Sequence, residues 1–424
     1  MEAVISHKPS QREIYIWNAA GSAATSFSTL VLLLGVTRIL GAVEAGIFSI
    51  GFALAQQVWS VVNCEMVTFQ ATDRKGKYSF GQYNGARILL FIASMIAIVG
   101  LTWIRGYDAY KSTVVVLLCI YKCLDALSAS FFALFQKNER LDIAGKSMTY
   151  KTCLSVVGFI LCCCVCDQMI IPLVVMNALY IIGIILFDLR YVGYYDQLSV
   201  KVDKRIFRLL LECFPLFIGS FMTVYICNQP KYVLDAVSTP EMQTVFNIIV
   251  MPAFVINLLS MFMFRPFLTR IALEWEQRRI SAFVSINAKL YGFILLCTMG
   301  CTFAGWLLGI PVLSLIYGVD LSAYRMELCV ILIGGGMNAV AVLSYNILSA
   351  IRHQQYILWA YVFAFMISLV ISRPLIEKMA MLGASISYAV PFFVIAIILM
   401  SCIVIEIVKR NTSVSYTHLT LPTN

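Results

Sequence analysis

Apolar stretches of about 20 residues recur along the whole chain, about twelve in all, separated by short charged loops. A run of ~18 or more apolar residues spans the hydrocarbon core of a bilayer as a helix, because a helix satisfies its backbone polar groups internally. With 61% hydrophobic residues, 12% charged and a mean hydropathy of +0.86, the chain has too little charge to cover a water-facing surface. The spacing predicts an all-α membrane protein with about twelve transmembrane helices. They are expected over Ile14–Val36, Ala45–Met66, Ala86–Ile104, Thr113–Phe135, Met148–Cys166, Ile170–Arg190, Leu209–Asn228, Met242–Met263, Ala288–Gly309, Leu328–Ala350, Tyr356–Pro374 and Leu382–Ile407.

Lysine and arginine then sort to alternate loops. Most of the 31 fall on one side, among them Lys8 and Arg12, Arg74 to Arg87, Lys137 to Lys151, Arg190 to Arg208, Arg265 to Lys289, Arg352, and Lys409 with Arg410. The other side holds only Arg38, Arg105, Lys111, Lys231, Arg325, Arg373 and Lys378, and Lys122 falls inside a span. The positive-inside rule makes the richer side cytoplasmic and puts both termini there. Loops facing anionic lipid account for the net charge of +9, and no nucleic-acid partner is implied. The first apolar segment is long enough to span and lacks a signal-cleavage pattern. Cys162, Cys163, Cys164 and Cys166 lie along one span and point around it, so they read as small apolar residues and no metal site is expected. The polar, uncharged segment Val414–Asn424 reads as a non-native tail and is set aside.

The spans divide evenly about the cytoplasmic stretch 191–208. The expected organisation is an N-terminal six-helix lobe (1–190), a linker (191–208), a C-terminal six-helix lobe (209–410) and a tail (411–424). In each half, a first span with polar and small residues ends in a basic turn: Thr37–Ala42 in one, Pro230–Ala236 in the other. An even number of spans per half leaves both halves in one orientation, a parallel repeat about an axis along the membrane normal.

Several segments, in order along nearly the whole chain, carry a resemblance: Arg38-Ile-Leu-Gly with Ala45-Gly-Ile-Phe; the run Phe69–Tyr83; the run Gln136–Ser147; Met251-Pro; Phe264-Arg-Pro-Phe-Leu-Thr; Pro311–Gly318; and Leu382-Gly-Ala-Ser-Ile-Ser-Tyr. In these the chain resembles the oligosaccharide and polysaccharide flippase family, the O-antigen-flippase-like branch of the multidrug/oligosaccharidyl-lipid/polysaccharide exporter superfamily. The resemblance implies MATE-like two-fold pseudo-symmetry in a bacterial plasma membrane. It also implies a carrier that moves a polyprenyl-diphosphate-linked oligosaccharide to the outer leaflet, in a setting shared with polysaccharide-assembly proteins.

Such a substrate needs cations for its diphosphate and a polar cavity for its glycan. Ionisable side chains at membrane depth are costly and stand as candidates for that work. Lys122 and Asp125 lie three residues apart on one face of the fourth span, either as substrate contact and acceptor of a coupling ion (H+ or Na+) or as a pair that fixes helix packing. Arg38 and Lys231 stand at corresponding places in the two halves, either receiving diphosphate on the outer side or snorkelling to headgroups. Asn228, Gln229 and Pro230 beside Lys231 are expected to break helical hydrogen bonding. Arg265, with Arg87 and the segment Gln70–Asp73, can gather a headgroup at the cytoplasmic face or anchor the helices there. Asn18, Asn228, Gln229, Asn247 and Asn338 are candidate polar positions for a cavity or for helix-to-helix hydrogen bonds. Gly334, Gly335 and Gly336 have no phosphate-loop context and read as close packing or a hinge.

A cation-coupled multidrug antiporter of the same superfamily shares this span plan but favours a carboxylate-lined site. A membrane glycan polymerase needs a large outer loop with catalytic groups. The longest outer loop here, around Ile310–Glu327, has only Asp320, Arg325 and Glu327 as ionisable groups. The three histidines, His7, His353 and His418, form no acid–base constellation, and no nucleotide motif appears. The expectation is a non-enzymatic carrier with no cofactor.

Overall fold

The computed structural model describes residues 9–73, 76–264, 267–351 and 353–419. Helices make up nearly all of them, with no strand among the described residues. The order is α1 (Gln11–Ile39), α2 (Ala42–Asn63), α3 (Met66–Thr72), α4 (Phe80–Ile104), α5 (Ala109–Lys137), α6 (Leu141–Cys163), α7 (Ile170–Gly183), α8 (Lys204–Val237), α9 (Pro240–Phe264), α10 (Leu268–Glu276), α11 (Ile280–Ala304), α12 (Arg325–Ala350) and α13 (Gln354–Leu419). α7 runs on through a π segment, Ile184–Leu189, to Val192, and α11 through another, Gly305–Gly309, to Tyr317.

Each expected span coincides with a helix. Nine helical stretches among the described residues are long and apolar enough to cross a membrane, one of them the 56-residue stretch Gln355–Arg410. That stretch is α13, which holds two expected spans and breaks at Ala380, where φ is 48° and ψ −120°. Gly383 lies across the break from the Leu375 carbonyl, so close that a Cβ there would fall 2.0 Å from the oxygen. α13 continues helical to Leu419, through part of the segment set aside as a tail; residues 420–424 lie outside the described residues.

Local chemistry sets the helix ends. Ser10 caps α1 by accepting the Glu13 N–H. Ser79 and Gln82 form a reciprocal capping box at the start of α4, satisfying two otherwise orphaned donors. Cys64 and Glu65 both take positive φ (44° and 53°) and split α2 from α3. Pro215 and Pro230 do not interrupt α8, which is continuous from Lys204 to Val237. The break expected beside Lys231 is therefore absent. A proline deletes one ladder bond, and the helix carries on around it.

The chain forms two compact units, residues 1–224 with 239–244, and residues 225–238 with 245–424. In the first, α1 packs on α6 and α2 on α5; in the second, α12 packs on α13. The sequence places the division at 191–208, whereas the packing divides the chain within α8. The stretch expected as a linker lies on the first unit. Lys201 N–H donates to the Gly81 carbonyl (2.9 Å), Asn84 to the Ser199 carbonyl (3.1 Å) and Gln82 to the Asp203 carboxylate (2.7 Å). Gly81 and Gly85 open one face of α4 to that strap; a Cβ on Gly85 would fall 2.2 Å from the Lys201 oxygen. Ile206, Leu209 and Cys213 then bury the start of α8 against Cys64, Met66, Tyr78, Tyr83 and Ala86.

Arg140 ties the loop before α6 to the end of α7. Its guanidinium donates to both Asp142 oxygens (2.9 and 3.0 Å) and to the Tyr195 hydroxyl (3.0 Å), and the Asp142 bonds hold its pKa above the usual value. Replacing Asp142 with alanine is expected to lower thermal stability by about 1–3 kcal/mol, the cost of leaving a buried charged donor unmet. Unfolding of the purified protein in detergent measures it.

Candidate functional site

A group of polar side chains in the first unit spans α5, α6, α7 and the π segment that follows α7. Lys122 and Asp125 meet at 3.5 Å, as their spacing on one turn of α5 requires, and both are partly exposed. The Lys122 ammonium lies 5.3 Å from the Phe52 ring and 5.5 Å from the Tyr121 ring. Asp125 accepts a 2.8 Å bond from the Tyr180 hydroxyl. Tyr180 is fully buried and packs edge-on to Tyr121 at 5.1 Å.

Beyond Tyr180 lies a second ion pair. Lys151 meets Asp188 at 2.9 Å, with side chains 5% and 2% exposed. The Lys151 ammonium lies 5.7 Å from the Tyr180 ring and also donates to the Ser128 hydroxyl, while Ser147 donates to the other Asp188 oxygen. Tyr180 thus touches both pairs, by its hydroxyl on one side and its ring on the other. Gly183 makes room, since a Cβ there would fall 2.5 Å from the Lys151 Cβ. Lys151, which the charge pattern assigns to the cytoplasmic side although it falls within the expected span Met148–Cys166, is a buried helix residue paired across helices. The available signal was Asp188 inside an otherwise apolar span, which calls for a cation on a neighbouring helix.

Arg87 stands apart from both pairs. It lies near the start of α4 and is 0% exposed. One of its nitrogens donates to Gln70 (3.0 Å), which in turn donates to the Ser130 carbonyl (2.9 Å). Its Nε and second Nη have no hydrogen-bond partner among the described residues. Gln70 and Arg87, paired at the sequence level as a cytoplasmic headgroup site, are therefore in contact but enclosed. Asp73, from the same segment, accepts the Lys77 and Tyr78 N–H groups (2.9 and 3.0 Å) and the Tyr83 hydroxyl (3.4 Å). Partial burial pushes its carboxyl up, but these bonds outweigh it and hold the pKa below the usual range.

The remaining candidates are dispersed. Arg38 is exposed in the last turn of α1, and Asn18 is half-buried on the same helix. Lys231 is buried well before the end of α8, beside buried Asn228 and Gln229, so it does not share the setting of Arg38. Asn247 on α9 and Asn338 on α12 are also buried. Arg265 lies outside the described residues. The three glycines of α12 serve close packing: Gly334 against Tyr388 and Ala389, Gly335 against Ala253, Gly336 against Thr298.

No family model and no curated protein matches this chain. Its fold, however, is shared across almost the whole length with solved transporters. An inward-facing multidrug-resistance MATE transporter of the MOP superfamily aligns with a TM-score of 0.62 at 10% identity, over 93% of this chain and 99% of that one. The lipid II flippase MurJ, in an inward closed conformation, aligns with a TM-score of 0.65 at 13% identity, over 95% and 93%. A MOP-superfamily transporter from Pyrococcus furiosus, whose binding pocket is described as reversed in polarity, aligns at 0.55 and 12%, over 94% and 95%. The fold is that of MOP-superfamily transporters. The chain is an all-helical, multi-pass membrane protein of that fold; at such identities the similarity carries the fold alone.

Proposed function

We propose that this chain is a flippase for an anionic, lipid-linked oligosaccharide, in the bacterial plasma membrane. The substrate would be a polyprenyl-diphosphate glycan for cell-surface polysaccharide, carried from the inner to the outer leaflet with both termini cytoplasmic. The observation that supports this reading is the charge balance around Asp125, Asp188 and Arg87 in the first unit. Asp125 and Asp188 are each engaged by a lysine, while the one hydrogen bond of the buried Arg87 guanidinium among the described residues goes to the neutral Gln70. A site for cationic drugs needs carboxylates that a substrate can reach without displacing a resident ammonium. The balance here favours a negatively charged substrate, since a diphosphate gains from unmet guanidinium donors and from an exposed ammonium.

In this reading transport runs by alternating access. Lys122, partly exposed, contacts the passing diphosphate and returns to Asp125 when the site is empty. Asp125, bonded to Tyr180, is the group on which a coupling H+ or Na+ would act. Lys231 with Asn228, Gln229, Asn247 and Asn338 would serve the C-lobe half of the path, and Arg38 and Arg265 its two ends.

The test is complementation of a flippase-deficient bacterium with a panel of glycans, reading lipid-linked glycan labelled on the outer leaflet. Wild type is expected to restore labelling for one glycan, and Lys122→Ala to lower it about tenfold or more, on the scale of one lost charge-assisted contact, at equal membrane abundance. Failure across the panel together with gained drug resistance would sink the proposal in favour of a cation-coupled multidrug antiporter.

A further inference from the structure

The cysteines at the end of α6 have no part in the path described above. α6 ends at Cys163, and the chain turns through Cys164 and Val165 before α7 begins at Ile170. The Cys166 N–H donates to the Cys162 carbonyl (3.0 Å), which closes one more helical turn. Residues four apart in such a turn share a face, and here the two side chains meet. The Cys162 and Cys166 sulfurs lie 3.9 Å apart, and both residues are partly exposed free thiols. Cys163 is buried and Cys164 fully exposed, turned to other sides of the helix by its rotation per residue.

The backbone already suits a bond between them. Residues on either side of one α-turn have Cα atoms about 6 Å apart, inside the range of about 4.4–6.8 Å that disulfides use. Side-chain rotation can therefore close the gap between the sulfurs. The turn is also held in place. Three residues beyond Cys166, the N–H of buried Met169 donates to the Tyr110 hydroxyl (3.1 Å), which itself donates to Glu44 (2.5 Å). Asp167 and Gln168, between Cys166 and that anchor, are exposed polar residues, so the pair stands at the water-facing end of the helix. No third metal-ligating side chain groups with the two thiols among the described residues. The chemistry they carry as a pair is exchange with a disulfide.

We propose that Cys162 and Cys166 are a redox-modification site, a dithiol that a disulfide-containing oxidant converts to an intrachain disulfide closing the last turn of α6. The Cys166 thiolate attacks one sulfur of the oxidant, giving a mixed disulfide and releasing the first thiol. The Cys162 thiolate then attacks the Cys166 sulfur, forming the bond and releasing the second. The two cysteines lose two electrons and two protons, and the oxidant gains both as its two thiols. In the orientation proposed above the turn lies on the outer side, the side of an oxidising compartment. The pairing itself depends neither on that orientation nor on the transported substrate.

The test is made on the full chain, purified in detergent, fully reduced and then exposed to glutathione disulfide. Remaining thiols are blocked with N-ethylmaleimide, and the peptide carrying residues 162–166 is read by mass spectrometry. Wild type is expected to give a peptide lighter by two hydrogens, with Cys162 and Cys166 both protected and Cys163 and Cys164 blocked. Cys162→Ser and Cys166→Ser should each lose the bond, and the cysteine left alone should keep one glutathione as the trapped mixed disulfide. Cys164→Ser should pair as wild type does. A wild type that leaves both thiols free, or stops at the mixed disulfide, overturns the proposal. So does a bond that moves to Cys163 or Cys164. If a serine variant is not recovered folded, fragmentation of the wild-type peptide decides. Backbone fragments between residues 162 and 166 are then absent until the bond is reduced, or they are present throughout and the proposal fails.

Discussion

Replacing Lys151 with methionine is expected to destabilise the protein by about 3–5 kcal/mol, because Asp188 is then left as a buried carboxylate without its cation. The Ser147 hydroxyl still donates to Asp188, and one neutral bond offsets only part of that cost. Asp188→Leu alone strands the ammonium instead and should cost a similar amount. The double variant Lys151→Met with Asp188→Leu removes both charges and is expected to recover most of the loss, since a well-packed apolar pair often matches a buried ion pair. Unfolding of the four proteins in one detergent closes the double-mutant cycle. A double variant no better than either single would mean that Lys151 and Asp188 do not act as a pair. Transport measured on the double variant then separates scaffold from path. If only packing matters, stability and transport return together.

Arg87→Met is expected to have the opposite signature. The guanidinium is enclosed with two nitrogens unmet among the described residues, so the folded state carries a desolvation cost of about 1–3 kcal/mol that methionine removes. The variant should unfold at the same temperature as wild type or higher, yet lose outer-leaflet labelling in the complementation assay. Arg87→Lys keeps the charge without the forked donors and should be intermediate in transport. A destabilised Arg87→Met, or one that transports normally, would assign Arg87 to the scaffold through its Gln70 bond. A residue that costs stability and is needed for turnover is one whose partner arrives with the substrate.

Much of the fold was legible in the sequence because the bilayer allows so few solutions. Runs of about 20 apolar residues must become helices, and each expected span coincides with one. The chemistry of short segments was legible too. The motif run Phe69–Tyr83 supplies the Asp73, Ser79 and Gln82 contacts, and Gln136–Ser147 supplies Arg140, Asp142 and Ser147. Lys122 and Asp125 were readable as a pair since one helical turn brings them together whatever surrounds it.

What the sequence by itself determined, then, is what acts along one helix: the spans, the charge bias of the loops and contacts within a turn. What only the tertiary structure decided is which helix faces which. That decided that Lys151, grouped by charge with the cytoplasmic side, is the partner of Asp188, 37 residues away, and that Tyr180 touches both ion pairs. It decided that the stretch 191–208 lies on Gly81 and Gly85 as part of the first unit, and that Arg87 is enclosed. The physical reason is that hydropathy scores a residue against lipid or water. The free energy of a buried charge depends on which donor or acceptor a neighbouring helix places against it.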